Sequence, residues 1–139
     1  MRAPLLDVRV GAGPEIVIGI DPSLTATGVT VVVDGREQST RRVETVPGAP
    51  LPARLAFLRE VLLGVVHQHH ASLIAMEAET FGMPHQSTTA AVQAIFQTAL
   101  WDVRCRTDLP ESKFRFLSVN PSHVKKYLGA KQKAEVLLQ

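Results

Sequence analysis

The segment Glu15–Gly35, EIVIGIDPSLTATGVTVVVDG, decides the fold, because it predicts a buried strand, a tight loop and a second strand. Its first half, IVIGI, is apolar on both faces and mostly β-branched, which is typical of a strand covered on both sides. Asp21 follows this run, and a Pro-Ser pair then ends the strand. Ligands of open α/β sheets gather outside the carboxyl ends of the strands, so Asp21 is a candidate metal ligand. The alternative is a turn aspartate that caps the loop.

A second apolar run ends in acids in the same way. The residues LIAM at 73–76 are followed by Glu77, and Glu79 comes two residues later. If this strand lies parallel beside the first, Asp21 and Glu77 would converge on one hard cation, and Mg²⁺ prefers such oxygen ligands. Glu79 would point to the same face as Glu77 and is a candidate auxiliary metal ligand, although a solvated glutamate at a strand end is the simpler interpretation.

Length and composition predict one globular domain with a proper core, since the chain has 139 residues of which 45% are hydrophobic. Its single cysteine, Cys105, excludes an internal disulfide and suits a reducing compartment. The N-terminal residues 1–13 mix Arg2, Asp7 and Arg9 with apolar residues. We therefore expect neither a secretory segment nor a membrane segment there.

The net charge of +2 hides an asymmetry along the chain. Residues 1–111 hold nine Lys/Arg against twelve Asp/Glu, whereas residues 112–139 hold six against one. Such a basic segment suits a polyanion like the nucleic-acid backbone, although a solvated helix surface would show the same residues. Its basic residues are Lys113, Arg115, Lys125, Lys126, Lys131 and Lys133.

The remaining patterns predict the element order βββαβαβα. The Asp34-Gly35 dipeptide is a hairpin signal, so residues 36–46 should return antiparallel beside Thr27–Val33. Apolar spacing predicts helices over residues 53–70 and from Ser87 or Thr88 onward, and Lys113–Val119 reads as a fifth strand. The histidines at 67, 69 and 70 diverge around a helix end, which favours interaction with the helix dipole over zinc binding.

Two further surfaces are candidates for binding. The loop at residues 80–87 carries Phe81 and Met83, which would wedge against bases in distorted nucleic acid or else tuck back onto the core. One face of the second helix predicts contact with a second subunit, the alternative being that its tryptophan covers the sheet edge of a monomer. The residues of this face are Ala90, Ala94, Thr98 and Trp101.

Three blocks carry a resemblance to a known family: IGIDPSLTATGVTVV at 18–32, LIAMEAETFG at 73–82 and SVNPSHVKKYLGAKQKAEV at 118–136. Together they resemble the RuvC-type Holliday junction resolvases, most closely their phage-associated branch, within the ribonuclease H-like superfamily. The third block selects the resolvases, because actin-like ATPases and sugar kinases share a strand-Asp-turn like the first. The resemblance implies an α/β fold with a mixed five-stranded sheet, built from a three-strand antiparallel meander plus two parallel strands and flanked by helices.

The resemblance also implies roles for individual residues. Asp21 and Glu77 match the metal-ligating catalytic acids, with Asp21 expected to bridge two ions. Lys125 and Lys133 match lysines that act on DNA near the scissile phosphate, and we expect Lys133 to be catalytic. The expected DNA-binding set combines these lysines with the basic segment and the loop aromatic: Lys125, Lys126, Lys131, Lys133 and Phe81.

The activity implied is resolution of four-way DNA junctions, by paired symmetric nicks from a homodimer that depends on Mg²⁺, with Mn²⁺ as a substitute. We expect a cytoplasmic protein, in the host cytoplasm if a phage encodes it, with no membrane partner. Residues 1–139 should form a single nuclease domain that lacks a C-terminal helix bearing the late family acids. Two rival hypotheses are a catalytically silent junction-binding protein and a fragment of an actin-like ATPase or sugar kinase.

Overall fold

The structure, a computed structural model, describes residues 15–77 and 86–119. Five strands form one sheet in the order β3-β2-β1-β4-β5, in which β2 runs antiparallel to its neighbours β1 and β3, and β4 and β5 run parallel to β1. This arrangement confirms the predicted mixed sheet. The strands are β1 Ile16–Asp21, β2 Ala26–Val33, β3 Arg36–Glu44, β4 Leu73–Glu77 and β5 Arg115–Val119, and the helices are α1 Leu51–Gln68, α2 Gln86–Arg104 and a 3₁₀ turn at Pro110–Ser112.

The hairpin between β2 and β3 turns where the sequence predicts it. Asp34 and Gly35 have φ values of 51° and 80°, and a two-residue turn of this type requires positive φ at both positions. The Asp34 carboxylate also accepts a hydrogen bond of 2.9 Å from the backbone N–H of Glu15. A bulge between Val31 and Val32 then shifts the register of β3, which determines the face that each later β3 side chain occupies.

The core lies on one face of the sheet, which we call the helix-covered face. Strands β1 and β4 contribute Ile18, Ile20, Ile74 and Met76 to it, each at most 3% exposed. Both helices pack on this face, and their buried residues are Leu58, Leu62, Val65 and Val66 in α1 and Val92, Phe96, Ala99, Leu100 and Val103 in α2. Within residues 15–77 and 86–119, α1 and α2 cover this one face of β1, so the described residues show only half of the predicted cover on both sides. On the other face, Val17 and Gly19 are half-buried.

The opposite side of the sheet, which we call the acid face, presents the alternate residues of each strand. In β1 and β4 these are Val17, Gly19, Asp21, Leu73, Ala75 and Glu77, all half-buried except the exposed Asp21. The helices α1 and α2 are 18 and 19 residues long. No helix within the described ranges combines the length and apolar character needed to cross a membrane.

Candidate active site

Asp21 and Glu77 lie side by side at the carboxyl ends of neighbouring parallel strands. The last register pair that joins β1 to β4 is Ile20 with Met76, so the two acids come one residue later on each strand. Adjacent strands are about 4.8 Å apart, which sets the scale of the separation between the two backbones. Because Ile20 and Met76 are buried against the helices, alternation places both carboxylates on the acid face. The structure therefore brings together the two acids that the sequence singled out.

The strands on either side extend this position into a row across the acid face. Asp21 pairs with Gly28 of β2, Gly28 pairs with Arg42 of β3, and Glu77 pairs with Val119 of β5. A Cβ atom at Gly28 would lie 3.6 Å from the Cβ of Asp21, an ordinary contact. A larger side chain at position 28 would occupy the space beside the Asp21 carboxylate. Gly28 therefore leaves this part of the acid face open.

Thr27 fixes the loop that leaves Asp21. Its side chain is only 1% exposed, and its hydroxyl donates a hydrogen bond of 2.7 Å to the carbonyl oxygen of Ser23. The same hydroxyl oxygen accepts a bond of 3.1 Å from the Ser23 backbone N–H. A buried hydroxyl that is satisfied in both directions stabilises one loop conformation, and here that loop positions the strand end.

A second threonine holds the same loop from the far side. The Thr45 hydroxyl donates to the carbonyl oxygen of Leu24 at 2.6 Å and accepts a bond of 2.8 Å from Nε of Arg54 on α1. The backbone N–H of Thr45 donates to the carbonyl oxygen of Thr25 at 3.3 Å. The strand that ends in Glu77 is also anchored, because Gln93 of α2 donates to the Glu77 backbone carbonyl at 3.1 Å. Both acid-bearing strand ends are thus held by hydrogen bonds.

The other predicted site residues lie outside the described ranges. These residues are Glu79, Phe81, Met83, Lys125, Lys126, Lys131 and Lys133. Within the part of the chain that the structure describes, no group of three or more His, Cys, Asp or Glu side chains is placed to hold a metal ion. Of the predicted catalytic and DNA-binding residues, only Asp21 and Glu77 lie within the described ranges.

His67, near the end of α1, contacts the 3₁₀ turn that follows α2. Nδ1 of His67 lies 2.7 Å from Oε2 of Glu111 on the 3₁₀ turn, where the glutamate side chain is 11% exposed. A hydrogen bond from the backbone N–H of Glu111, together with the one to His67, lowers the pKa of the Glu111 carboxyl. This pair links two elements on the helix-covered side of the molecule.

Sequence reasoning missed three residues that the structure places around Asp21: Thr27, Gly28 and Arg42. The sequence pattern predicts only a strand position for Thr27, although Ser23 four positions earlier is a hydrogen-bonding partner within reach of a tight loop. Gly28 and Arg42 gain their place only from strand pairing. A glycine inside a strand pattern does signal a close approach or a bulge, and that signal points to Gly28.

Two solved structures share this fold. The structure of Thermus thermophilus RuvC in complex with Holliday junction substrate matches with a TM-score of 0.66 and 21% identity, over 85% of this chain and 72% of that chain. A second Thermus thermophilus RuvC structure matches with a TM-score of 0.64 and 21% identity, over 80% and 67%. No family model matches the sequence, and no curated protein matches it. The chain therefore has a RuvC-like, ribonuclease H-like fold, and the expected fold is confirmed.

Proposed function

We propose that this protein is a metal-dependent endonuclease that cuts branched DNA, with the four-way junction as its substrate. The observation that carries the proposal is the pair Asp21 and Glu77, held at adjacent positions on the acid face at the carboxyl ends of two parallel strands. Its support from comparison is the RuvC-like fold, since one matched structure is a complex with a Holliday junction substrate. Within that fold, a pair of acids at this edge is suited to phosphodiester hydrolysis.

The residues present fit a hard divalent cation, Mg²⁺ with Mn²⁺ as a substitute. Carboxylate oxygens are the ligands that such ions prefer, and Mg²⁺ retains several waters when few protein ligands hold it. When bound, the ions would activate a water and neutralise charge on the phosphate. Asp21 and Glu77 would hold the ions, and Gly28 would leave space for the sugar-phosphate chain beside Asp21. A third carboxylate from outside the described ranges would complete the ligand set.

The DNA contacts in this proposal fall largely on residues outside the described ranges. Lys133 would stabilise charge on the attacked phosphate, while Lys125, Lys126 and Lys131 would bind the backbone and Phe81 would wedge against bases. The charge of the segment supports this assignment, since residues 112–139 hold six basic residues against one acid. Binding dominated by such contacts should weaken steeply as salt is added.

A homodimer is part of the proposal, because paired nicks need two sites. On α2, Ala90, Ala94, Thr98 and Trp101 are all exposed, and Trp101 is 66% exposed. The Thr98 hydroxyl donates to backbone carbonyls of its own helix, which leaves this face largely apolar. Sedimentation should show a dimer for the natural sequence and a monomer for Ala94→Arg. A monomer for the natural sequence would remove the dimer from the proposal.

The proposed location is the cytoplasm, or the host cytoplasm if a phage encodes the chain. Cys105, the single cysteine of the sequence, is exposed as a free thiol. An exposed thiol of this kind is compatible with a reducing compartment.

A catalytically silent junction-binding protein is the second candidate function. It is favoured by one observation, that the described ranges bring together two carboxylates and no group of three ligating residues. A metal site with two fixed carboxylates gains little over the hydrated ion, so such a protein would bind DNA without cutting it. The two candidates share a substrate and differ in the chemical step.

Nicking of a labelled four-way junction by the full chain in Mn²⁺ or Mg²⁺ separates these candidates. We expect the natural sequence to nick the junction and Asp21→Asn to lose nicking while retaining its affinity for the junction. The matched control is Asp34→Asn, which changes the same charge at the hairpin end of the sheet and should nick normally. Nicking by Asp21→Asn at an undiminished rate would overturn the assignment, and binding without any nicking by the natural sequence would favour the silent protein.

A further inference from the structure

Arg42 occupies an unassigned position in the row of the acid face that holds the two carboxylates. It pairs with Gly28, which in turn pairs with Asp21, so two strand spacings, or roughly 10 Å, separate the backbones of Arg42 and Asp21. Because Gly28 has no side chain, no side chain of this row stands between those of Arg42 and Asp21. The result is a shallow gap with a cation on one side and the acid pair on the other.

The charge on this part of the acid face makes Arg42 stand out. Asp21 and Glu77 lie in the same row, and Glu44 lies on the same face of β3, two residues beyond Arg42. Of the strand residues that make up this row, Arg42 is the only basic one. A phosphodiester approaching Asp21 would otherwise meet carboxylates, and a fixed cation beside the gap offsets that repulsion.

Arg42 is paired with Glu44 in this structure, and a DNA phosphate can replace this partner. Its Nε donates a hydrogen bond of 3.0 Å to Oε1 of Glu44, and the two side chains are 72% and 67% exposed. An exposed ion pair of this kind contributes little free energy. A phosphate accepts two parallel N–H bonds from a guanidinium, which makes it a stronger partner than one carboxylate oxygen.

We propose that Arg42 binds a backbone phosphate of the DNA strand, next to the phosphate that lies over Asp21 and Glu77, and that Glu44 competes for the Arg42 guanidinium. This inference rests on the DNA-binding part of the proposed function. Arg42 acts as a positioning residue, because it holds the strand across Gly28 so that the attacked phosphate meets the acids. In the absence of DNA, the hydrogen bond to Glu44 holds the Arg42 guanidinium on the acid face.

The chain supplies a matched control one residue away. Arg41 pairs with Val29, whose side chain is buried on the helix-covered face, so alternation sends Arg41 to that side. There it lines a cavity of about 430 Å³ together with Gln68 and His69. Arg41→Gln and Arg42→Gln remove the same charge from the same exposed strand, and they differ in the face that loses it.

Affinity for a labelled four-way junction is the first measurement, made on the full chain in EDTA so that no strand is cut. At 0.15 M salt the Debye length is about 8 Å, which limits effects of general charge. Arg42→Gln should weaken binding about tenfold and lower the slope of log affinity against log salt by about 0.9, the value for one phosphate contact. Arg41→Gln should weaken binding less than about threefold, and Arg42→Lys should recover part of the loss because it keeps the charge without the fork.

The competing carboxylate gives an effect of opposite sign. Glu44→Gln removes the partner that occupies Arg42, so junction affinity should rise about two- to threefold. Its control is Glu37→Gln at the far end of the same strand and face, where Glu37 accepts a hydrogen bond from Thr40. Junction affinity should rise less in Glu37→Gln than in Glu44→Gln, because Glu37 lies several residues away from Arg42 and the acid pair.

Three results would overturn the inference. Equal losses in Arg41→Gln and Arg42→Gln would show that only net charge matters, and a fall in affinity for Glu44→Gln would contradict competition. Failure of the natural sequence to bind four-way DNA would remove the proposed function and this inference together. If the natural sequence binds without nicking and Arg42→Gln still shows its specific loss, the inference stands and only the nuclease activity falls.

Discussion

The two faces of the sheet are built from the same strands and have different roles. On the helix-covered face, Ile18, Ile20, Ile74 and Met76 are almost completely buried beneath α1 and α2. On the acid face, the alternate positions of β1 and β4 end in Asp21 and Glu77. Since side chains alternate along a strand, a single residue step separates a position that stabilises the fold from one available for chemistry. Substitutions on the two faces should therefore fail in different assays.

The largest expected effect lies on the helix-covered face. Phe96 of α2 is 1% exposed at the centre of the core, so Phe96→Ala should lower the free energy of unfolding by about 3–5 kcal/mol. Leu117 on β5 is its control on the acid face, where it is 48% exposed, and Leu117→Ala should cost about 1 kcal/mol or less. Urea denaturation measures both values. Similar losses for the two variants would mean that the acid face is also part of the core.

The next largest effect is expected on the acid face, where a substitution should lower activity without lowering stability. Gly28→Leu would fill the gap beside Asp21. We expect nicking of four-way DNA to fall about a hundredfold, because the DNA strand can no longer reach Asp21 and Glu77. The free energy of unfolding should hold or rise, since glycine weakens a strand interior. Gly28→Ala is the control, because its Cβ would make only an ordinary contact with Asp21. Full nicking by Gly28→Leu would show that the strand does not cross this gap.

The smallest effect concerns pH and the helix layer. In the folded protein, hydrogen bonds from the Glu111 backbone N–H and from His67 hold the pKa of the Glu111 carboxyl below its ordinary value of 4.5. The ionised carboxylate therefore stabilises the fold at pH values above 4.5, and this contribution is lost as the pH falls through the lowered pKa. The stability difference between the natural sequence and Glu111→Gln should be present near neutral pH and shrink below about pH 4.5.

The control for that titration is Glu60→Gln, which alters an exposed carboxylate on α1. We expect neither variant to change nicking, because Glu111 contacts the end of α1 and takes no part in the acid row. A stability difference that stays constant down to pH 3 would contradict the assigned role of Glu111.

The sequence was enough to predict the strands and the two acids, because the signals are local. The β-branched run before Asp21 and the apolar run before Glu77 each marked a strand and its end, and Asp34-Gly35 marked the turn. The structure moves the predicted ends by a few residues, for example from 36–46 to Arg36–Glu44 in β3. Strand ends are set by which partners remain available for pairing, and that information is not local.

The row across the acid face could not be predicted, because it depends on register. Arg41 and Arg42 are identical neighbours in the sequence, and the pairing of β3 with β2 alone decides which of them faces Asp21. A shift by one residue would exchange their faces, and the bulge at Val31 and Val32 introduces such a shift along this strand pair. Hydrogen bonds such as that of Arg54 with Thr45 likewise need the helix position, which no local pattern supplies.

The central claim is that Asp21 and Glu77 hold a divalent ion together, and Mn²⁺ binding tests it most directly. Electron paramagnetic resonance of free Mn²⁺ gives the affinity of the full chain and of Asp21→Asn, Glu77→Gln and the double variant. We predict that each single variant weakens binding by about tenfold or more, and that the double variant loses less than the two single losses combined, as expected for ligands of one ion. Mn²⁺ affinity that is unchanged in either single variant, or losses that add fully in the double variant, would contradict this account.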